Sequence, residues 1–415
     1  MRDGKNGWRR GRERLHVLYR RSKSRSKWQK AFITHVFSHK TVVQPTFSKI
    51  ILGDPALLND KYTHTPESLF RFYGPTPENI ADIRSRKLWL SHPRAFNDPF
   101  DCQTGYDIYG YEKHALLEFV KDEGCVDACD CSNGFTAAEV KRLSAATTEF
   151  IYNWYGKVEE YDRVLREVLQ RKSEMFGKKV QAVTSKARAD VEKVVESLRQ
   201  LDIRVACFSA LKRQPGCDSV IHMWSHYAAH HRGFCIEYDM STLAKPVQFA
   251  LGGHEFYGER RSEYTDERFR ALILAGLFPV IYSEGRVNVP KKKLHTLTRT
   301  RDKALNHDAE IEALLYRTYI AKSGTWSYEK EWRLILDGDI CKYYGNRVPF
   351  PYIKRVFLGC RMDSQMIDTM IEVGEELGAE VRMMVMDNRK FILEDRSIDM
   401  YKWERERSRA TNPFY

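Results

Sequence analysis

Along residues 325–336, TWSYEKEWRLIL, apolar and polar side chains alternate. Read with a period of two, Trp332, Leu334 and Leu336 point one way and Glu329, Glu331, Arg333 and Ile335 the other, which predicts a strand with two carboxylates on one face. Shorter runs of the same character, LFRFYG (69–74), KLWLSH (87–92), IRVACFSA (203–210) and GFCIEY (233–238), read as further strands. Helical signals lie between them. PTPENIADIRS opens a helix after the first strand, MWSHYAAHH a short one before GFCIEY, and KALNHDAEIEALLYRTYIAKS a longer one before the alternating stretch.

From about 111 to 200 the apolar positions recur at helical intervals within a charged background, and Thr136 and Glu139 stand at capping-box spacing. Towards the end, IKRVFLGC, a helix from about Asp363 to Leu377, the stop signal Gly378 and EVRMMVMD give strand, helix and strand within about 30 residues, the length of a β-α-β unit with parallel strands. The expectation is an α+β protein with a mixed β-sheet core. Its parts are a basic N-terminal tail (1–60), a first part of the core (61–110), a helical insertion (111–200), the remainder of the core (201–395) and a charged C-terminal tail (396–415).

Composition changes this picture in one place. Residues 1–50 hold 14 of the 68 basic and 2 of the 56 acidic residues, which leaves 54 of each in 51–415, so the net charge of +12 resides in the tail. RRGRERLHVLYRRSKSRSKWQK can attach to phosphate backbones or an anionic surface without sequence specificity; a solvated leader is the alternative. AFITHVF is too short and too polar for a secretory signal, and no window reaches the length of a membrane span, so the expected location is the cytoplasm. Nine scattered cysteines read as reduced thiols; Cys125, Cys129 and Cys131 cluster without a CxxC knuckle, and no metal is expected there.

The chain has no GxxxxGK[ST] loop, no GxGxxG after a strand, no GxSxG elbow and no HExxH, which removes the main support for kinase, dehydrogenase and serine-hydrolase readings. The glutamate pair remains. Breaking a glycosidic bond at C1 of a ribose spreads positive charge over the ring, and one carboxylate can stabilise that charge while a second orients or deprotonates the nucleophile. A surface ladder of weak ion pairs among Glu329, Lys330, Glu331 and Arg333 is the competing account. Arg71 shares a strand face with Leu69 and Tyr73, where it either clamps a pyrophosphate or forms a buried salt bridge to a glutamate of the 325–336 stretch. Asn97, Asp98 and Asp101 either bind a ribose or amide edge or only build a turn.

LFRFYG, KLWLSHPRAFNDPFD, RVACFSA, MWSHYAAHHRGFCIEY, WSYEKEWRLIL and IKRVFLGC together resemble the bacterial domain-of-unknown-function family 2971, over about 65–110 and 200–395. The layout of that family in turn resembles a divergent ADP-ribosyltransferase fold. The resemblance implies an NAD-dependent ADP-ribosyltransferase or NAD glycohydrolase, a toxin or phage-defence effector, acting on NAD and an unidentified nucleic-acid or protein acceptor. Glu331 takes the place of the catalytic carboxylate, Glu329 that of its partner, and Tyr227 or Ser91 the middle position. Candidate cofactor contacts are Arg71, Tyr73, Ser91, Asn97, Asp98 and His226. Arg-Phe stands where that fold usually has His-Gly, and no Ser-Thr-Ser run is present. Two other classes compete: a non-catalytic nucleic-acid-binding module using the basic tail, and a metal-dependent hydrolase or nuclease using His226, His230 and Asp101.

Overall fold

A computed structural model describes residues 61, 64–112, 115, 174–211, 220–241, 243, 266–300 and 309–403. The basic tail, the Cys125/Cys129/Cys131 cluster, the Thr136–Glu139 pair and residues 404–415 lie outside them. The described residues fall into two compact units, one drawn from 1–103, 202–286 and 315–415 and the other from 104–201 and 287–314. Strands are β1 (Ser68–Tyr73), β2 (Lys87–Trp89), β3 (Ile203–Ser209), β4 (Phe234–Asp239), β5 (Leu277–Pro279), β6 (Ile281–Ser283), β7 (Ala321–Ser323), β8 (Glu331–Asp337), β9 (Arg347–Pro349), β10 (Ile353–Leu358), β11 (Glu380–Met386) and β12 (Leu393–Ser397). Helices are α1 (Pro77–Arg84), α2 (Glu174–Arg199), α3 (Ile221–Tyr227), α4 (Asp266–Gly276), α5 (Lys291–Thr300), α6 (Ala309–Tyr319), α7 (Gly338–Tyr343) and α8 (Ser364–Leu377).

The first unit is built on a mixed eight-stranded sheet, ordered β12-β11-β10-β4-β1-β3-β8-β5. Its pairings are antiparallel except for β10 with β11, the parallel pair of the C-terminal β-α-β unit. The α+β class with a mixed sheet is therefore observed. Local chemistry accounts for the helix between those parallel strands: the Asp363 carboxylate accepts from the Met366 N–H at the start, and Gly378 closes the end at φ 63°, a conformation that a Cβ disfavours.

Residues paired across strands share a face, so register assigns sides. Phe70 pairs with Ser209 and Ser209 with Glu331, while Phe70 and Phe72 also pair with Glu237 and Cys235. On this face Phe72 meets Trp224 of α3 edge-on at 5.2 Å, within an apolar cluster that includes Met223, Phe357, Met384 and Leu393. The opposite face carries Leu69, Arg71, Tyr73, Phe234 and Tyr238. There Phe208 stacks on Phe350 at 5.6 Å and meets Tyr238 edge-on at 5.7 Å.

Two expectations are corrected. Residues 324–329 form a 3₁₀ turn, not the start of a strand; Lys330 follows in the left-handed conformation at φ 47°, and β8 begins only at Glu331. The helix around MWSHYAAHH ends at Tyr227, and Ala229, His230 and His231 all have positive φ, so His226 and His230 are not one helical turn apart on a common face. The second unit contains α2 and α5, and within it the Tyr111 hydroxyl donates to Thr298 Oγ1 at 2.6 Å and Arg188 meets Glu112 at 2.7 Å.

Candidate active site

On the α3 face of the sheet, where β8 begins, five charged side chains gather with almost no contact with solvent. Glu331 and Arg333 project from alternate positions of β8, Lys322 from β7, Glu329 from the end of the 3₁₀ turn, and Asp101 from the loop after Pro93–Ala95. Their exposures run from 0 % for Arg333 to 8 % for Lys322. Lys322 Nζ donates to Glu329 Oε2 at 2.6 Å and to Glu331 Oε2 at 2.9 Å. Arg333 donates through Nε to Glu331 Oε1 at 2.7 Å, and through its two terminal nitrogens to Asp101 at 2.7 Å, the Tyr319 carbonyl at 2.6 Å and Cys102 Sγ at 3.1 Å. The left-handed Lys330 explains how residues two apart reach one ammonium: it reverses the chain so that Glu329, outside the strand, turns back over Lys322.

Two tyrosines border the cluster. Tyr227 of α3 donates its hydroxyl to Glu329 Oε1 at 2.7 Å, and the Tyr282 oxygen accepts from the Glu331 N–H at 2.7 Å. Both are only part-buried. Burial and the adjacent Glu329 carboxylate push the Tyr227 phenol up; burial and Glu331 do the same for Tyr282.

The two glutamates titrate in opposite directions. Burial and the neighbouring Glu331 charge push Glu329 up to about 7 against the pull of Lys322. Burial also acts on Glu331, but Arg333 and Lys322 outweigh it and hold that carboxyl down at about 2. Each shift has its own consequence for stability. Glu329, raised above its ordinary value of 4.5, contributes stability that is complete below about 4.5 and is lost as pH rises through about 7. Glu331 contributes stability that is present above about 4.5 and is lost as pH falls towards 2. Denaturant titrations at pH 4.5, 6 and 8 should therefore show the stability advantage of the wild type over Glu329→Gln shrinking as pH rises. A difference that does not change with pH would contradict a buried, raised Glu329.

Of the residues singled out in the sequence, Glu329, Glu331 and Tyr227 come together. Arg71 does not join them. One residue along from Phe70, it points to the opposite face, since a single step along a strand changes sides. There Nη1 donates to the Trp89 carbonyl at 3.1 Å and the guanidinium lies 5.2 Å from the Tyr73 ring centre, so of the two alternatives for Arg71 the salt bridge to a glutamate of 325–336 is not formed. Tyr73 is buried, its hydroxyl 2.7 Å from that of Tyr238. The Ser91 backbone bridges to Val205, and its hydroxyl accepts from Trp89 Nε1 at 3.1 Å. Asn97 is exposed. Asp98 builds the turn, accepting the Phe100 N–H at 2.8 Å and, through its carbonyl, the Asp101 N–H at 3.1 Å. His226 is exposed, its ring 6.2 Å from that of Trp326.

His226, His230 and Asp101 do not form a metal site. Asp101 is committed to Arg333 inside the cluster while both histidines are exposed, and among the described residues no three His, Cys, Asp or Glu side chains gather to hold an ion. No described helix is long and apolar enough to cross a membrane. Lys322 was not legible as a member of the site; a lone lysine at the end of a helical, largely apolar run, YIAKS, carries only a weak signal.

Residues 223–334 match the family model DUF2971, whose description is protein of unknown function. Over these residues, about a quarter of the chain, the protein is similar to that family. The DUF2971 match runs from α3 to the middle of β8, so it includes Tyr227, Lys322, Glu329, Glu331 and Arg333 and leaves out Arg71 and Asp101. No curated protein and no solved structure matches the chain.

Proposed function

We propose that the protein cleaves the bond between nicotinamide and ribose in NAD and passes the ADP-ribosyl group to water or to an acceptor hydroxyl. The observation that carries this reading is a buried carboxylate pair held unequally: Arg333 and Lys322 bind both oxygens of Glu331 and hold its carboxyl down, while Glu329 meets one ammonium and the Tyr227 hydroxyl and is pushed up by burial, which divides fixed charge from proton transfer. Asp101, Glu329 and Glu331 against Lys322 and Arg333 give the cluster one net negative charge when Glu329 is ionised and none when it is protonated. As the C1′–N bond breaks, its electron pair leaves with nicotinamide and the ribose becomes cationic; ionised Glu329 offsets that charge and then takes the proton of the incoming O–H group. Both Glu331 oxygens are held by Arg333 and Lys322, so Glu331 acts as a positioning residue that keeps Lys322 beside Glu329.

Glu329 is only 2 % exposed. The part-buried Tyr227, bonded to it, is the group a substrate displaces, and Arg71, on the other face, has no part in this reaction. The test is release of nicotinamide from NAD by the purified full chain, with Glu329→Gln alongside. No release, or equal release from the two proteins, overturns the reading.

A second reading, a nucleic-acid-binding module, rests on the surplus of 12 positive charges in residues 1–50. It expects nucleic-acid affinity that falls steeply with salt and disappears when those residues are removed, measured by fluorescence anisotropy. Unchanged affinity after the deletion would exclude it.

A further inference from the structure

Across α3 from Tyr227 lies a cavity of about 630 Å³, within the range of roughly 300–1,000 Å³ typical of small-molecule pockets. Ser225 lines it, and Ser225 and Tyr227 stand roughly 200° apart around the helix, so the cavity is separate from the carboxylate cluster. Arg361, Arg389 and Lys390 border it. Among the described residues none of these three makes an ion pair, although Arg355, Arg382 and Arg396 on neighbouring strands are matched to Glu237, Asp395 and Glu394. The one carboxylate in the lining, Asp387, is occupied in holding the loop: its Oδ1 accepts the N–H groups of Arg389 at 2.6 Å and Lys390 at 2.8 Å.

Two further features mark a built site. Phe391 on the lining is 97 % exposed, leaving a flat aromatic ring uncovered beside the cations. His231 places Nε2 3.1 Å from Ser225 Oγ, while its Nδ1 is buried without a hydrogen-bond partner among the described residues. His231 also ends the run of three left-handed residues that begins at Ala229. That run is pinned by the Gly233 N–H to the Ala228 carbonyl at 2.8 Å and the Arg361 N–H to the His231 carbonyl at 2.9 Å. Gly359 is required for this approach, because a Cβ there would lie 2.2 Å from the His231 carbonyl oxygen. Strained backbone held by its surroundings is a recurrent property of ligand sites.

We infer that this cavity binds a nucleoside diphosphate, its phosphates on Arg361, Arg389 and Lys390 and its base on Phe391. Unpaired cations call for an anion, the volume exceeds what inorganic phosphate fills, and an exposed ring beside cations is the arrangement that stacks a base.

Isothermal titration of the full chain with ADP tests the assignment. One ADP per chain is expected, with affinity lowered about tenfold or more by the double charge reversal Arg389→Glu with Lys390→Glu, and about tenfold by Phe391→Ala. All three positions are exposed, so the fold tolerates the changes. Glu329→Gln should bind ADP as the wild type does, which keeps this result independent of the glycosidic reading. Absence of saturable binding, affinity unchanged in both variants, or inorganic phosphate binding as tightly as ADP would overturn the proposal. So would an oligothymidylate that binds more tightly than ADP and is lost in the same variants, since the face would then belong to a nucleic-acid strand.

Discussion

Replacing Arg333 by methionine is expected to destabilise the protein by about 3–5 kcal/mol, the range for removing one partner of a buried ion pair. Methionine replaces the aliphatic stem of arginine and has none of its donors. Its substitution strips the interactions with Glu331, Asp101, the Tyr319 carbonyl and Cys102 in one step, with Glu331 and Asp101 still 4 % and 5 % exposed. Lys322 alone then faces three carboxylates. The loss should appear as a lower urea midpoint with an unchanged slope. Arg333→Lys should lose less, because it keeps the charge and gives up the fork. Adding Glu331→Gln and Asp101→Asn to Arg333→Met should recover part of the loss, since the penalty arises chiefly from stranded charge. A cost below about 1 kcal/mol, the level of an exposed pair, would mean that water reaches the cluster.

Glu329→Gln is expected to lower the rate of nicotinamide release by about 10²–10⁴-fold, the usual contribution of a positioned acid or base. The fold should survive this change, because a glutamine side-chain oxygen still accepts from Lys322 or Tyr227, the two groups that Glu329 meets. The pH profile separates the catalytic role from a structural one. With the ionised form as base, the wild-type rate rises as Glu329 loses its proton around about 7 and levels off above it. The variant should show no such rise. A variant that retains the same profile at a lower rate would move the base elsewhere.

Much of the fold was legible because its signals are local. The helix after IKRVFLGC announced both ends, with Asp363 as a cap and Gly378 as a stop, and the spacing to EVRMMVMD predicted the parallel pair that β10 and β11 form. LFRFYG, IRVACFSA and GFCIEY became β1, β3 and β4 within a residue or two. The 325–336 stretch was legible only in part. Alternation placed Glu329 and Glu331 on one face, and both do reach Lys322, but through a left-handed Lys330 that no periodicity announces. The histidine spacing misled because the peptide after Tyr227 leaves the helix, so four residues no longer correspond to one turn.

The sequence by itself determined the α+β class, the cap and stop of the helix at Ser364–Leu377 and the existence of a close carboxylate pair, all of which depend on residues within a few positions of one another. Only the tertiary structure decided which acid is movable and which is pinned. Asp101, Lys322 and Arg333 come from separate parts of the chain to surround the pair, and strand register alone sends Arg71 to the far side. The physical reason is that the charge state of a carboxyl depends on the water and counter-charges around it, and folding assembles those from segments more than 200 residues apart.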